Sequence, residues 1–195
     1  GATILITDSE GRAVSSPVPI GGIGTDGAVS LYHFRIQEVE APDGYLLDPT
    51  VHDFQFNIKT DQYQTLTYQY EAADSPNRVI ISKKQLTTKE ELPGASLEVR
   101  RVTEMVDKDG TAIRIDGDVI ESWISTEVPH ELECLTEGMY VLIETRAPEG
   151  YIEAEKVYFT ISGNMTVDDI PMVEMFDDDT KIEIRKVDSE TGNPL

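Results

Sequence analysis

The chain has 195 residues, with 16 Lys plus Arg against 37 Asp plus Glu and a formal charge of −21 at pH 7. That balance argues against nucleic acid or an anionic membrane surface as partner, and no apolar run nears the roughly 18 residues that a membrane span requires. One cysteine, Cys134, leaves no internal disulfide to staple the fold, and Cys134 itself reads as a buried, inert small residue.

Gly1-Ala-Thr-Ile-Leu-Ile-Thr-Asp8 reads as an opening strand with no signal-peptide pattern before it, so the chain reads as an excised fragment. Residues 16–28, rich in Pro and Gly, read as a loop. In Tyr32-His-Phe-Arg-Ile-Gln-Glu38, strand alternation puts Tyr32, Phe34, Ile36 and Glu38 on one face and His33, Arg35 and Gln37 on the other. Ala41-Pro-Asp-Gly-Tyr45 then turns the chain, since Pro presets φ and Gly accepts a positive φ. Phe54, Phe56 and Ile58 alternate with polar neighbours, as do Leu66, Tyr68 and Tyr70, which predicts two half-buried strands. Ala72-Ala-Asp-Ser-Pro-Asn77 breaks that pattern and marks a boundary.

The same text then recurs. Tyr140-Val-Leu-Ile-Glu144-Thr-Arg-Ala-Pro-Glu-Gly-Tyr151 repeats the glutamate-ended strand and its turn, with Glu144 lying 106 positions after Glu38. Before it come a strand from Val79 to Gln85, another from Gly94 to Val99, a hairpin turn at Asp107-Lys-Asp-Gly110, and a strand Ile120–Ser125 that carries the single Trp123. After it come strands at Val157–Ile161 and Val173–Asp177. Lys181-Ile-Glu-Ile-Arg-Lys186 to Leu195 matches Val79 to Leu92, so a third repeat opens there. The expected organisation is 1–76 as a repeat lacking its first strand, 77–179 as a complete one, and 180–195 as the first strand of the next. With no sustained helical period, the predicted fold is all-β: tandem antiparallel β-sandwich domains.

Alternation also points three charged side chains at the core of the complete repeat. Lys83 shares a face with Val79 and Ile81, and Asp177 with Val173 and Met175, while Glu144 takes its direction from the placement of Glu38. A charge on a core face is costly unless it is paired, hydrogen-bonded or neutralised. The first repeat offers Glu38 and Asp74, and the tail offers Lys186 on the face of Ile182 and Ile184. The interval from Asp74 to Lys83 equals that from Asp177 to Lys186, nine positions each.

Ile-Ser-Lys83, Glu-Leu-Pro-Gly-Ala95, Ser-Trp-Ile-Ser125, Glu144-Thr-Arg-Ala-Pro-Glu-Gly-Tyr151 and Val-Glu-Met-Phe-Asp177 together resemble the Cna B-type, prealbumin-like domains of Gram-positive surface adhesins and pilins. The resemblance implies Ig-like, prealbumin-like sandwiches and a spontaneous intramolecular isopeptide bond. Lys83 would be the nucleophile, Asp177 the acceptor and Glu144 the assisting carboxyl. Burial favours a neutral amine, which can attack a carbonyl, and a neutral glutamic acid can polarise that carbonyl and shuttle protons. An aspartate acceptor releases water where the family's commoner asparagine releases ammonia. Asp178 and Asp179 adjoin Asp177, so a strand bulge would shift the acceptor by one. Glu38, Asp74 and Lys186 would form an incomplete site, closed by head-to-tail strand donation from another molecule.

The implied role is a non-enzymatic stalk or spacer, outside the cell and anchored to the cell wall, with neighbouring repeats as partners and no cofactor. The rival is a ligand-binding adhesin module that contacts a host protein or glycan through residues 16–28 or 103–120, with the Lys, Glu and Asp set serving only as a buried salt bridge. Neither loop carries an aromatic residue. His33, His52 and His130 lack ligand spacing and the acidic turns lack a calcium-loop pattern, so no metal is expected.

Overall fold

The computed structural model describes residues 2–56, 66–181 and 184–194; Ile58, Ile182 and Glu183, with the terminal Gly1 and Leu195, lie outside the described residues. The chain divides into two compact units: Gly1–Val39 with Pro49–Ala73, and Glu40–Asp48 with Asp74–Leu195.

In the first unit, β1 (Gly21–Ile23) pairs antiparallel with β2 (Val29–Leu31), and β3 (Phe34–Ile36) with β4 (His52–Phe54). The stretch 16–28, expected as a loop, therefore holds a strand and a hairpin turn. Gly27 donates to the Gly24 carbonyl, Gly24 to the Ala28 carbonyl, and Asp26 Oδ1 accepts the Ala28 N–H at 3.0 Å. From β3 onward the expected alternation holds, with Phe34, Ile36 and Glu38 half-buried and Arg35 and Gln37 exposed, but Tyr32, expected on the inward face, is exposed. Phe34, Phe54, Phe56 and Tyr68 form one aromatic cluster, the Phe54 and Tyr68 rings stacking at 3.8 Å. Residues 2–8 and 66–70 form no strand. Alternation suits a strand, but a strand also needs a neighbour to take its backbone hydrogen bonds, and these segments form no ladder.

The second unit is a two-sheet sandwich built from β5 (Arg78–Gln85), β6 (Ser96–Val106), β7 (Ala112–Ile124), β8 (His130–Glu133), β9 (Gly138–Arg146), β10 (Val157–Ile161) and β11 (Met172–Asp177). One sheet runs β10-β9-β6-β7 and the other β11-β5-β8. Period-2 patterning puts Val79 and Ile81 of β5, Leu97 and Val99 of β6, Tyr140 and Leu142 of β9, and Val173 and Met175 of β11 into one core, against which Trp123 packs. All pairs are antiparallel except β5 and β11, which run parallel with Lys83 opposite Met175. The Asp107 to Gly110 turn forms as expected: Asp107 N–H donates to the Thr111 carbonyl, and Asp107 Oδ1 accepts the Asp109 and Thr111 N–H groups at 2.8 Å. The strands on either side of this turn reach from 96 to 124, so residues 103–120 are a long hairpin rather than a loop.

The repeated turn at 41–45 belongs to this second unit, which sets the division away from residue 76. Tyr45 bridges Pro76, Leu46 enters the core, and Asn77 N–H donates to the Gly44 carbonyl at 2.8 Å. Gly44 has φ +85, and a Cβ there would stand 3.2 Å from the Cys134 backbone, so only glycine suits the site. Cys134 is exposed, not buried as expected: its φ of 56 ends β8 and turns the side chain outward. Residues 184–194 form a turn closed by a Val187–Pro194 bridge, and the strand expected there does not form among the described residues.

Asn77 is buried and clamps the Leu135 backbone in both directions, with Nδ2 donating to the carbonyl at 2.7 Å and Oδ1 accepting the N–H at 2.9 Å. Asn77→Ala orphans both groups and is expected to cost about 2–4 kcal/mol, read from the guanidinium midpoint at unchanged m.

Candidate functional site: a buried lysine between two carboxylates

Three strands from the two sheets bring the site together. β5 directs Lys83 inward beside Val79 and Ile81; β11 directs Asp177 inward two residues past Met175, the register partner of Lys83. β9 directs Glu144 into the core from the facing sheet, in phase with Leu142 and Tyr140. The direction of Glu144 thus agrees with that inferred from Glu38. The Lys83, Glu144 and Asp177 side chains are 1%, 0% and 0% exposed.

Lys83 Nζ lies 3.0 Å from Glu144 Oε1 and donates to Asp177 Oδ1. Glu144 Oε2 accepts the Ala154 N–H at 2.7 Å, which fixes the carboxyl plane. Glu144 Oε1, beyond its ion pair with Lys83, and Asp177 Oδ2 are buried with no well-formed hydrogen bond. Buried oxygens in that state are rare, and one proton held between the two carboxyls would satisfy both. Burial raises the Asp177 pKa to about 6; Lys83 opposes the rise and the neighbouring Glu144 carboxyl adds to it. Near neutrality this aspartate therefore visits its neutral acid form, the form in which a carboxyl can lose water.

Of the three consecutive aspartates, Asp177 is buried against Lys83, Asp178 is exposed and Asp179 is half-buried and paired to Lys181 at 2.9 Å. Lys84, one residue past Lys83, faces away and pairs with Glu174 on the other side of the same sheet. Of the residues expected to form an incomplete site, Glu38 is half-buried in the first unit, and Asp74 and Lys186 are exposed in the second. His52 meets the Tyr70 hydroxyl at 2.6 Å, and His130 stacks on Trp123 and meets Glu121 at 2.7 Å. Among the described residues no group of His, Cys, Asp and Glu could hold a metal ion, and no helix is long and apolar enough to cross a membrane. The Ala154 N–H is the participant that sequence reasoning missed. It is a backbone donor, and an alanine carries no side-chain sign of such a role.

Fold and site together define an all-β sandwich domain closed over a buried Lys, Glu and Asp cluster. Residues 77–172 match the family described as the SpaA prealbumin-like fold domain, and this segment is a Cna B-type, prealbumin-like domain. Among solved structures, the shaft pilin SpaA of Lactobacillus rhamnosus GG is 16% identical, with 88% of this chain and 74% of that one covered at a TM-score of 0.40. The group B streptococcus pilus 2b backbone protein is 15% identical over 68% of this chain and 48% of that one, with a TM-score of 0.40. The Bacillus anthracis TIE protein is 21% identical over 90% of this chain and 28% of that one, with a TM-score of 0.42. No curated protein matches the chain.

Proposed function

We propose that this chain is a structural stalk module of a Gram-positive, cell-wall-anchored adhesin or pilus-like protein, and that its second unit locks itself with a Lys83–Asp177 isopeptide bond. The observation that carries this reading is the placement of Lys83 Nζ against both carboxyls in a water-excluded core. Two reacting groups held in contact have no encounter entropy left to lose, so a reaction that is negligible in solution becomes intramolecular and fast.

The neutral Lys83 amine attacks Asp177 Cγ, and Glu144 hydrogen-bonds the carbonyl oxygen as negative charge builds on it. Glu144 then passes the amine proton to the departing hydroxyl, so that water leaves and an amide joins Nζ to Cγ. The reaction runs once per molecule and needs no cofactor, oxidant or external enzyme. The amide resists reduction, which suits an extracellular spacer exposed to tension and proteases.

Intact mass under denaturing conditions tests the reading. The expected value is one water below the sequence mass, with the linked residues located by peptide mapping; a full sequence mass would overturn it. Asp177→Asn is expected to stay one ammonia short, since the amide nitrogen leaves in place of the hydroxyl.

The raised Asp177 pKa also sets a pH dependence. The neutral carboxyl predominates below about 6 and becomes scarce above it. Acid adds this neutral carboxyl but also charges the attacking amine, and attack needs neutral amine and neutral acid together, so refolded protein is expected to cross-link no faster at pH 5 than at pH 8, followed by mass against time.

A further inference from the structure

The acceptor strand ends in Asp177-Asp178-Asp179, three chemically equivalent carboxyls. A one-residue slip of a strand exchanges its two faces, which would bring Asp178 to Lys83 and expel Asp177. Something must hold the register, and the hydrogen bonds just beyond Asp177 do so.

Thr180 donates to the Gly150 carbonyl from its N–H at 2.8 Å and from its hydroxyl at 2.9 Å. Ile152 N–H donates to the Asp178 carbonyl at 3.0 Å, and Tyr151 bridges Asp179. On the other side Leu86 N–H donates to the carbonyl of Asp177 itself at 2.8 Å. The same turn continues into Ala154, whose N–H holds Glu144 Oε2. One segment, 150–154, therefore grips the assisting carboxyl at one end and the flank of the acceptor at the other.

The first turn makes the same contacts. Asn77 N–H donates to the Gly44 carbonyl at 2.8 Å, Leu46 N–H to the Ser75 carbonyl at 2.9 Å, and Tyr45 bridges Pro76. Ser75, Pro76 and Asn77 thus correspond to Asp178, Asp179 and Thr180, which puts Asp74 in register with Asp177. No residue is shared between the two triplets, so the backbone carries the pattern. A proline stands where the pattern uses no N–H.

We infer that the Ala-Pro-Glu-Gly-Tyr151 turn is a register clamp that selects Asp177 over Asp178 as the cross-link acceptor, with Gly150, Ile152 and Thr180 as positioning residues. This rests on the isopeptide reading above. The clamp acts by limiting which carboxyl reaches Lys83 and for how long, while the chemistry stays with Lys83, Glu144 and Asp177.

The test uses the full chain, recovered denatured and refolded, with intact mass against time, peptide mapping of the linked aspartate, and circular dichroism to report folding. Thr180→Val keeps the N–H and is expected within about twofold of the parent rate. Thr180→Pro removes both donors and is expected to slow cross-linking about tenfold and to divert part of it to Asp178. Gly150→Ala is the milder second variant: φ there is +88, but no atom lies within 4 Å of a built Cβ, so it strains the turn without a clash. It decides the matter if Thr180→Pro fails to fold. Parent rate and sole linkage at Asp177 in a folded Thr180→Pro or Gly150→Ala would overturn the clamp and leave the isopeptide reading standing. A parent protein with full sequence mass would overturn both.

Discussion

Lys83→Met is expected to restore the full sequence mass and to lower the melting temperature of the second unit by tens of degrees. Two losses add. The proposed bond would span 94 positions from Lys83 to Asp177, and closing a loop of that size removes unfolded-chain entropy worth about 4–5 kcal/mol if treated as for a disulfide. The variant also leaves Glu144 and Asp177 as two buried carboxyls with neither amide nor cation beside them, and an uncompensated buried charge costs about 3–5 kcal/mol. Their sum rivals the whole stability of an ordinary domain, roughly 5–15 kcal/mol, and each kcal/mol moves the midpoint of a domain this size by about 4–8 °C. A second variant separates the two terms. Lys83→Met with Glu144→Leu and Asp177→Leu removes the bond and the unpartnered carboxyls together and leaves an apolar core, so it is expected to recover the buried-carboxyl term and to stay below the parent by the loop term alone. Calorimetry on the three proteins reads both differences. A single variant that melts within about 5 °C of the parent would mean that no covalent link had been there to lose.

The site was legible because two kinds of sequence information agreed on it. Period-2 alternation pointed Lys83 and Asp177 inward, and both are buried on β5 and β11 in that phase, although Ser82 on the other face of β5 is buried as well. Glu144 was harder, since Val141 and Ile143 make its strand apolar on both faces; the polar face of the earlier copy, His33, Arg35 and Gln37, supplied the direction that the later copy lacks. The parallel pairing of β5 and β11 left no local mark, because a parallel register is set by partners about 90 residues apart. That pairing nonetheless fixes the diagonal on which Lys83 reaches Asp177.

Where the strand expectations failed, alternation was present but pairing was not. Ile4 and Ile6 alternate as well as Val79 and Ile81 do, yet 2–8 forms no strand while 78–85 lies between β11 and β8. Side-chain period reports a face; the ladder comes from elsewhere in the chain. The opposite error occurred at 16–28, where Pro and Gly content suggested a loop but Gly24 to Gly27 is the tight turn that lets β1 and β2 meet. Placing Cys134 in the core failed for a conformational reason, since a residue with positive φ at a strand end no longer follows the alternation of its neighbours.

Glu144→Ala and Glu144→Gln are expected to leave the fold assembled and to slow cross-linking by different amounts, which assigns the role of that carboxyl. Alanine removes both services Glu144 offers, the hydrogen bond that polarises the Asp177 carbonyl and the transfer of the amine proton to the leaving hydroxyl. A positioned general acid and base is worth about 10²–10⁴-fold, so the alanine variant is expected to lose at least that and to be isolated at full sequence mass. Glutamine has nearly the same shape. Its carbonyl can still accept the Ala154 N–H that now holds Oε2, and its amide can still donate to Asp177, but it cannot carry a proton between them. If polarisation dominates, glutamine retains most of the rate; if proton transfer dominates, it falls with alanine. The second outcome is expected, because expelling hydroxide from a buried tetrahedral centre without protonating it would place an unpaired charge in a core that excludes water. Mass against time from the denatured state, on parent and both variants at one pH, gives the three rates. An alanine variant that cross-links at the parent rate would reduce Glu144 to a buried counter-ion of Lys83 and leave proximity alone as the source of the reaction.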